Sequence, residues 1–236
     1  MKKYTLEQLA QMIDHTNLKA TATNADIVTL CEEAKTYGFA SACFNPVKSE
    51  VAGSALKNTN IKACSVIGFP LGQNTIETKA YETMDALANG ANEIDYVINV
   101  SEALVGNWDY IAREMITIVE LCKESNALCK VIFENGYLTK DQIKKLCEIA
   151  TLVKPSFVKT STGTISSGAT PEDIALMAAN TPEGMGIKAS GGIRTAATFI
   201  EMIKNGATRV GASASKEIMK ELKEQYFSNG EEFLEI

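Results

Sequence analysis

The sequence predicts a (β/α)₈ TIM barrel, an α/β fold, with an extra helix at the N-terminal end. Three observations lead there. Eight short apolar or β-branched runs alternate with eight stretches of helical apolar spacing, the pattern of parallel βαβ units. A length of 236 residues suits a barrel built as one domain, residues 1–236. Polar residues gather at the ends of several strand-like runs, where such a barrel carries its site.

Taken in order, the opening run 1–10 reads as an amphipathic helix, with Glu7 and Gln8 inside it, and residues 13–18 as the first strand. Thr23 or Asn24 caps a helix that stops at Gly38, residues 39–45 form the second strand, and Pro46 sits where the next helix begins. The third strand, 61–70, has a Gly/Pro exit, and its helix over 75–89 ends at Gly90. Residues 93–99 form the fourth strand, followed by a helical period over Trp108–Glu124, and residues 130–135 form the fifth. Thr139 caps a helix over 140–150 that has Asp141 in its first turn, where the dipole favours a carboxylate. The sixth strand spans 157–163, Pro171 starts a helix over 172–179, and the seventh strand spans 186–189. Thr195 caps Ala196–Lys204, Gly206 stops it, residues 209–213 are the eighth strand, and 216–224 the last helix. The acidic tail 229–236 reads as mobile.

Composition narrows the function classes. A formal charge of −6 without a basic block argues against nucleic acid or an anionic membrane surface as a partner, so an anionic substrate needs a local positive pocket. No apolar run approaches the roughly 18 residues that span a bilayer, and no signal-peptide core is seen, which predicts a soluble, cytoplasmic protein. The six cysteines are scattered, with no C-x-x-C pair, and His15 is the single histidine. Neither a metal site nor a histidine triad is expected, and His15 reads as a structural ring with a hydrogen-bond partner.

The chemistry collects around Phe157-Val158-Lys159-Thr160-Ser161-Thr162-Gly163, where an apolar strand carries a lysine and then breaks into small polar residues. Such a lysine is either an edge-strand residue facing water or, if desolvated, an amine able to attack a carbonyl. A second lysine, Lys188, follows in a similar run. Two neighbouring ammonium ions repel, so each is expected to ease the other toward the neutral amine. Asp95 either holds the second lysine and passes protons or forms an internal ion pair that only stabilises the barrel. Asp14 and Lys19 lie at or after the first strand. Gly191-Gly192-Ile193-Arg194-Thr195 leads into a helix, and Gly211-Ala212-Ser213 follows on strand eight, where barrels often bind phosphate; the glycines serve equally in plain tight turns.

With these stretches assembled, the chain resembles the deoxyribose-phosphate aldolases. The resemblance runs through Ile13-Asp14-His15-Thr16, Cys43-Phe44-Asn45-Pro46, Gly68-Phe69-Pro70-Leu71-Gly72, Glu93-Ile94-Asp95 with Val97-Ile98-Asn99, both lysine motifs, Gly168-Ala169-Thr170 and Gly211-Ala212-Ser213. It implies a class I, cofactor-free and metal-free aldolase that reversibly cleaves 2-deoxy-D-ribose 5-phosphate to acetaldehyde and D-glyceraldehyde 3-phosphate. Lys159 is then the Schiff-base nucleophile, Lys188 lowers its pKa, and Lys188 with Asp95 and a water relays protons. The resemblance sets Gly163, Gly191, Gly192, Arg194, Gly211 and Ser213 around the phosphate, with Asp14, Thr16, Lys19, Cys43 and Thr160 in support. Its partners are the phosphorylated sugar and acetaldehyde, and a homodimer is plausible from the resemblance only. Asn17, Ala20, Asn135, Thr164 and Ala214 depart from the usual pattern, and the tail has no terminal tyrosine. The alternatives are a Schiff-base aldolase with another donor and a non-catalytic phosphosugar-binding barrel.

Overall fold

The computed structural model describes residues 2–228 and 230–236. Met1, where the opening run starts, and Asn229, where the acidic tail starts, lie outside the described residues. Eight parallel strands close into a barrel in chain order: β1 (Ile13–Thr16), β2 (Ser41–Phe44), β3 (Lys62–Ile67), β4 (Glu93–Val97), β5 (Leu128–Ile132), β6 (Phe157–Lys159), β7 (Gly186–Ser190) and β8 (Arg209–Ala212). Around them run α1 (Leu6–Ala10), α2 (Asn24–Tyr37), α3 (Ser49–Ala55), α4 (Ile76–Ala88), α5 (Val100–Leu104), α6 (Trp108–Glu124), α7 (Lys140–Val153), α8 (Pro171–Asn180), α9 (Ala196–Lys204) and α10 (Ser215–Tyr226).

Helix starts follow the capping chemistry. Thr5, Thr23, Thr75, Thr139, Thr170 and Thr195 each accept a backbone N–H of the first turn, satisfying a donor that the helix itself cannot. Side chains alternate across each strand, so every second residue enters the barrel. On β4, Ile94 and Tyr96 join the apolar layer under the helices, with Ile111, Met115 and Ile118 of α6, while Glu93 and Asp95 belong to the interior. On β5, Cys129 and Val131 go outward and Lys130 inward. Burial of the outer layer against the helices is the main stabilising term.

Several predicted boundaries move. β1 ends at Thr16 rather than 18. β2 begins at Ser41, because Phe39 leaves the strand path to stack on Tyr37 and meet the His15 ring. β3 stops at Ile67, where Gly68 turns at φ 60°. β5 starts at Leu128 and ends at Ile132, and β6 ends at Lys159, so residues 160–170 are loop. A single 3-10 turn, Pro46–Lys48, precedes α3, and α5 is an unpredicted short helix. The opening helix shrinks to α1 because Lys3–Tyr4 pairs antiparallel with Leu234–Glu235. That ribbon overturns the expectation of a mobile tail for residues 234–235: Lys2 N donates to Ile236 O at 2.7 Å and Ile236 N to Lys2 O at 2.9 Å.

Candidate active site

Barrel register brings distant residues side by side. Asp95 stands opposite Lys130, Ile132 opposite Lys159, Lys159 opposite Lys188, and Lys188 opposite Arg209. The resulting network is almost dry, with Asp14, Glu93, Asp95 and Lys130 fully buried and Lys159 3% exposed. Asp95 Oδ2 accepts from Lys159 Nζ at 2.6 Å and from Lys188 Nζ at 2.7 Å, and its Oδ1 accepts from Lys130 Nζ at 2.8 Å. Lys130 also pairs with Glu93, and Lys188 with Asp14. Arg209 closes the ring, 2.7 Å from Asp14 Oδ1 and 3.5 Å from Glu93 Oε1, with its guanidinium over the Phe157 ring. Charges so buried persist only when paired.

The titration directions follow. Burial alone would raise Asp95, but Lys130, Lys159 and Lys188 hold it well below the usual carboxylate range. Asp14 is likewise lowered, against its burial, by Lys188, Lys130 and Arg209. Burial would lower Lys188, yet Asp14 and Asp95 raise it. Lys188 is thus held charged by two carboxylates absent from a two-lysine picture.

A pocket of about 350 Å³ opens above this network. Lys159 and Lys188 form part of its wall, together with Thr16, Lys19 and Cys43. Gly163, Gly191, Gly192, Arg194, Gly211 and Ser213 line the same pocket, so all six predicted phosphate residues are brought together. Asp14 and Asp95 lie beneath it, in the ion network. Thr160 is also set below; its hydroxyl donates to Ser190 O at 3.3 Å and accepts from Ser190 N at 3.2 Å, tying the exits of β6 and β7. Glycine is required at 163 and 191. Both have positive φ, and a Cβ on Gly191 would come within 2.9 Å of the Gly163 Cα.

Sequence reasoning passed over Lys130, Glu93 and Arg209 as site components. Lys130 carried a signal, a lysine inside the apolar run Leu128–Ile132; Glu93 and Arg209 read as ordinary strand starts. His15 does find a partner, Glu33 Oε2 at 2.8 Å, although its Nδ1 has none. Among the described residues two buried sets offer metal-ligand atoms, Cys43/Cys64/Asp95 and Asp14/Cys64/Glu93. Their carboxylates are already engaged by Lys130, Lys159, Lys188 and Arg209, and Cys64 Sγ lies 3.2 Å from Asp95 Oδ1 and 3.3 Å from Lys130 Nζ.

All six cysteines are free and buried. Burial pushes the Cys31 thiol up to about 11 and that of Cys147 to about 12, whereas a hydrogen bond from Cys64 lowers Cys43, the cysteine in the pocket wall. Thiolate is the reactive form. Brief iodoacetamide treatment of the native protein at neutral pH is therefore expected to label Cys43 first, read by peptide mass; labelling of Cys31 or Cys147 ahead of it would contradict this electrostatic ordering.

Among the described residues no helix is long and apolar enough to cross a membrane. The family model described as "DeoC/LacD family aldolase" matches residues 8–222. A deoxyribose-phosphate aldolase of Lactobacillus acidophilus is 52% identical over 221 residues, covering 94% of this chain and 93% of that protein. One from a Geobacillus species is 50% identical over 212 residues, covering 90% and 95%. Among solved structures, a tetrameric deoxyribose phosphate aldolase from Aeropyrum pernix is similar at a TM-score of 0.87 and 35% identity, covering 93% of this chain and 92% of that one.

Proposed function

The chain belongs to the DeoC/LacD family of aldolases, and from that premise we propose how its site works. The reaction is the reversible class I cleavage of 2-deoxy-D-ribose 5-phosphate to acetaldehyde and D-glyceraldehyde 3-phosphate. The observation that supports the assignment of roles is the position of Lys159: it is a buried lysine reaching the pocket wall, held by a carboxylate oxygen that also holds a second lysine.

In the cleavage direction the Lys159 amine attacks the C1 aldehyde of the open-chain sugar, and loss of water gives an iminium. Removal of the C3 hydroxyl proton lets the C2–C3 bond break; its electron pair moves into the iminium, giving an enamine and releasing glyceraldehyde 3-phosphate. Protonation of the enamine at C2 and hydrolysis return acetaldehyde and the free lysine. Protons pass through a water between Lys188 and the reacting carbons, with Asp95 Oδ2 bridging the two ammonium groups. The phosphate rests on the glycine turns at Gly163, Gly191 and Gly192, beside Gly211 near the end of β8, with Arg194 and Ser213 at the rim; positive φ turns present backbone N–H groups to an anion.

Residues 1–236 act as one catalytic domain in the cytoplasm, as the closed barrel and six unpaired thiols suggest. Assembly as a homodimer rests on the family alone. Borohydride reduction with acetaldehyde present tests the central assignment. The expected result is a reduced two-carbon adduct on the Lys159 peptide; an adduct on any other lysine, or none, would overturn it. Dihydroxyacetone phosphate in place of acetaldehyde is expected to give no adduct, which separates this reading from a ketone-donor aldolase.

A further inference from the structure

The loop after β6 supplies Thr162, Gly163 and Thr164 to the pocket wall, yet it has no sheet of its own. Its hold comes from Glu134, one residue past Phe133 at the exit of β5. Glu134 is fully buried and lies outside the pocket lining, and its backbone adopts φ 60° and ψ 57°, the left-handed region that a non-glycine residue enters only when its surroundings enforce it. The turn aims its carboxylate into the β6 loop. Glu134 Oε2 accepts from Thr162 N at 3.0 Å, and Oε1 accepts from the Ser166 hydroxyl. The segment beneath is shaped to match: a Cβ on Gly136 would fall 2.6 Å from the Ser167 hydroxyl oxygen, and Tyr137 donates its hydroxyl to Ile165 O at 3.0 Å.

We propose that Glu134 is a positioning residue for the sugar phosphate: its carboxylate pins the loop through Thr162 N and Ser166 so that Thr162, Gly163 and Thr164 stand at the phosphate end of the pocket. The proposal deepens the phosphate reading above and rests on it. Lys159 is secured separately, since its carbonyl accepts from Phe133 N at 3.0 Å and that of Thr160 from Asn135 N at 2.9 Å, both through the backbone. Losing the Glu134 carboxylate therefore loosens the phosphate wall and leaves the nucleophile in place.

The experiment compares cleavage of 2-deoxyribose 5-phosphate with that of unphosphorylated 2-deoxyribose. Glu134→Ala is expected to raise KM for the phosphorylated sugar by roughly tenfold or more with kcat little changed, the mark of lost binding common to ground and transition states. Its kcat/KM for the free sugar is expected to stay within about twofold, so the preference for phosphate collapses. Glu134→Gln, which keeps an acceptor for Thr162 N and a polar group for Ser166, is expected to restore most of the preference. Ser166→Ala, a one-atom change at a half-buried loop residue with little risk to folding, is expected to shift KM in the same direction by a smaller factor. Equal losses on both sugars would reduce Glu134 to a structural residue and overturn the proposal. If Glu134→Ala fails to fold, Ser166→Ala decides: an unchanged phosphate preference there overturns the proposal. A wild-type enzyme without any preference for the phosphorylated sugar would sink the phosphate reading itself, a result distinct from a preference that survives Glu134→Ala.

Discussion

Lys159→Leu is expected to lose turnover by at least roughly 10⁴-fold, with the folded barrel intact. In the proposed reaction neither of the other two lysines of the buried network can take its place. Lys188 Nζ is spent on Asp14 and Asp95 and is raised away from the neutral amine, and Lys130 lies deeper, fully buried under the Glu93 and Asp95 carboxylates. Stability is expected to change little. Removing Lys159 Nζ leaves Asp95 Oδ2 with Lys188 and Oδ1 with Lys130, so no buried carboxylate is orphaned, and leucine fills the apolar stem. Steady-state kinetics and a thermal melt are the two measurements. Residual turnover near the wild-type level would remove Lys159 from the chemistry altogether.

Asp95→Asn is expected to damage both properties. Asp95 is the one carboxylate shared by Lys130, Lys159 and Lys188. An asparagine of the same shape keeps an acceptor but leaves three buried ammonium groups short of negative charge. Breaking a buried pair by removing one partner costs about 3–5 kcal/mol. Glu93 and Asp14 still hold Lys130 and Lys188, which places the expected loss toward the lower end of that range. Turnover is expected to fall by about 10²-fold or more, because the oxygen bridging Lys159 and Lys188 no longer carries charge. Urea denaturation and kinetics together read the result. A variant as stable as wild type would show that the barrel interior tolerates unbalanced cations, contrary to the pairing described above.

The contrast between these two variants explains what could be read from the sequence. Lys159, Lys188 and Asp95 stood out because each interrupts an apolar strand, and a polar residue there needs a reason. Eight alternating runs gave the barrel for the same cause, since periodicity survives without coordinates. Pairing across the barrel does not. The contact of Arg209 with Glu93 joins residues far apart in the chain, and it exists only because closure sets β8 beside β7 and β1 and points both side chains inward. Lys130 carried the same kind of signal, a lysine inside an apolar run, but its inward sense depends on register, which the run alone does not give. Glu134 gave no signal at all: it read as part of the end of the fifth strand, and only its left-handed backbone turns it toward Thr162. Helix α5 was too short for its period to register, and the ribbon at Lys3–Tyr4 depends on a partner strand at the other end of the chain.

The ion network has a kinetic consequence. Four cationic side chains, Lys130, Lys159, Lys188 and Arg209, face the three carboxylates Asp14, Glu93 and Asp95. In the proposed reaction the iminium on Lys159 is again a cation with an N–H, at the place where the ammonium donates to Asp95 Oδ2. Covalent capture of the sugar thus exchanges one positive nitrogen for another. The surrounding dipoles and ion pairs meet the intermediate already aligned, so little reorganisation energy is spent there, in an interior where water cannot supply it.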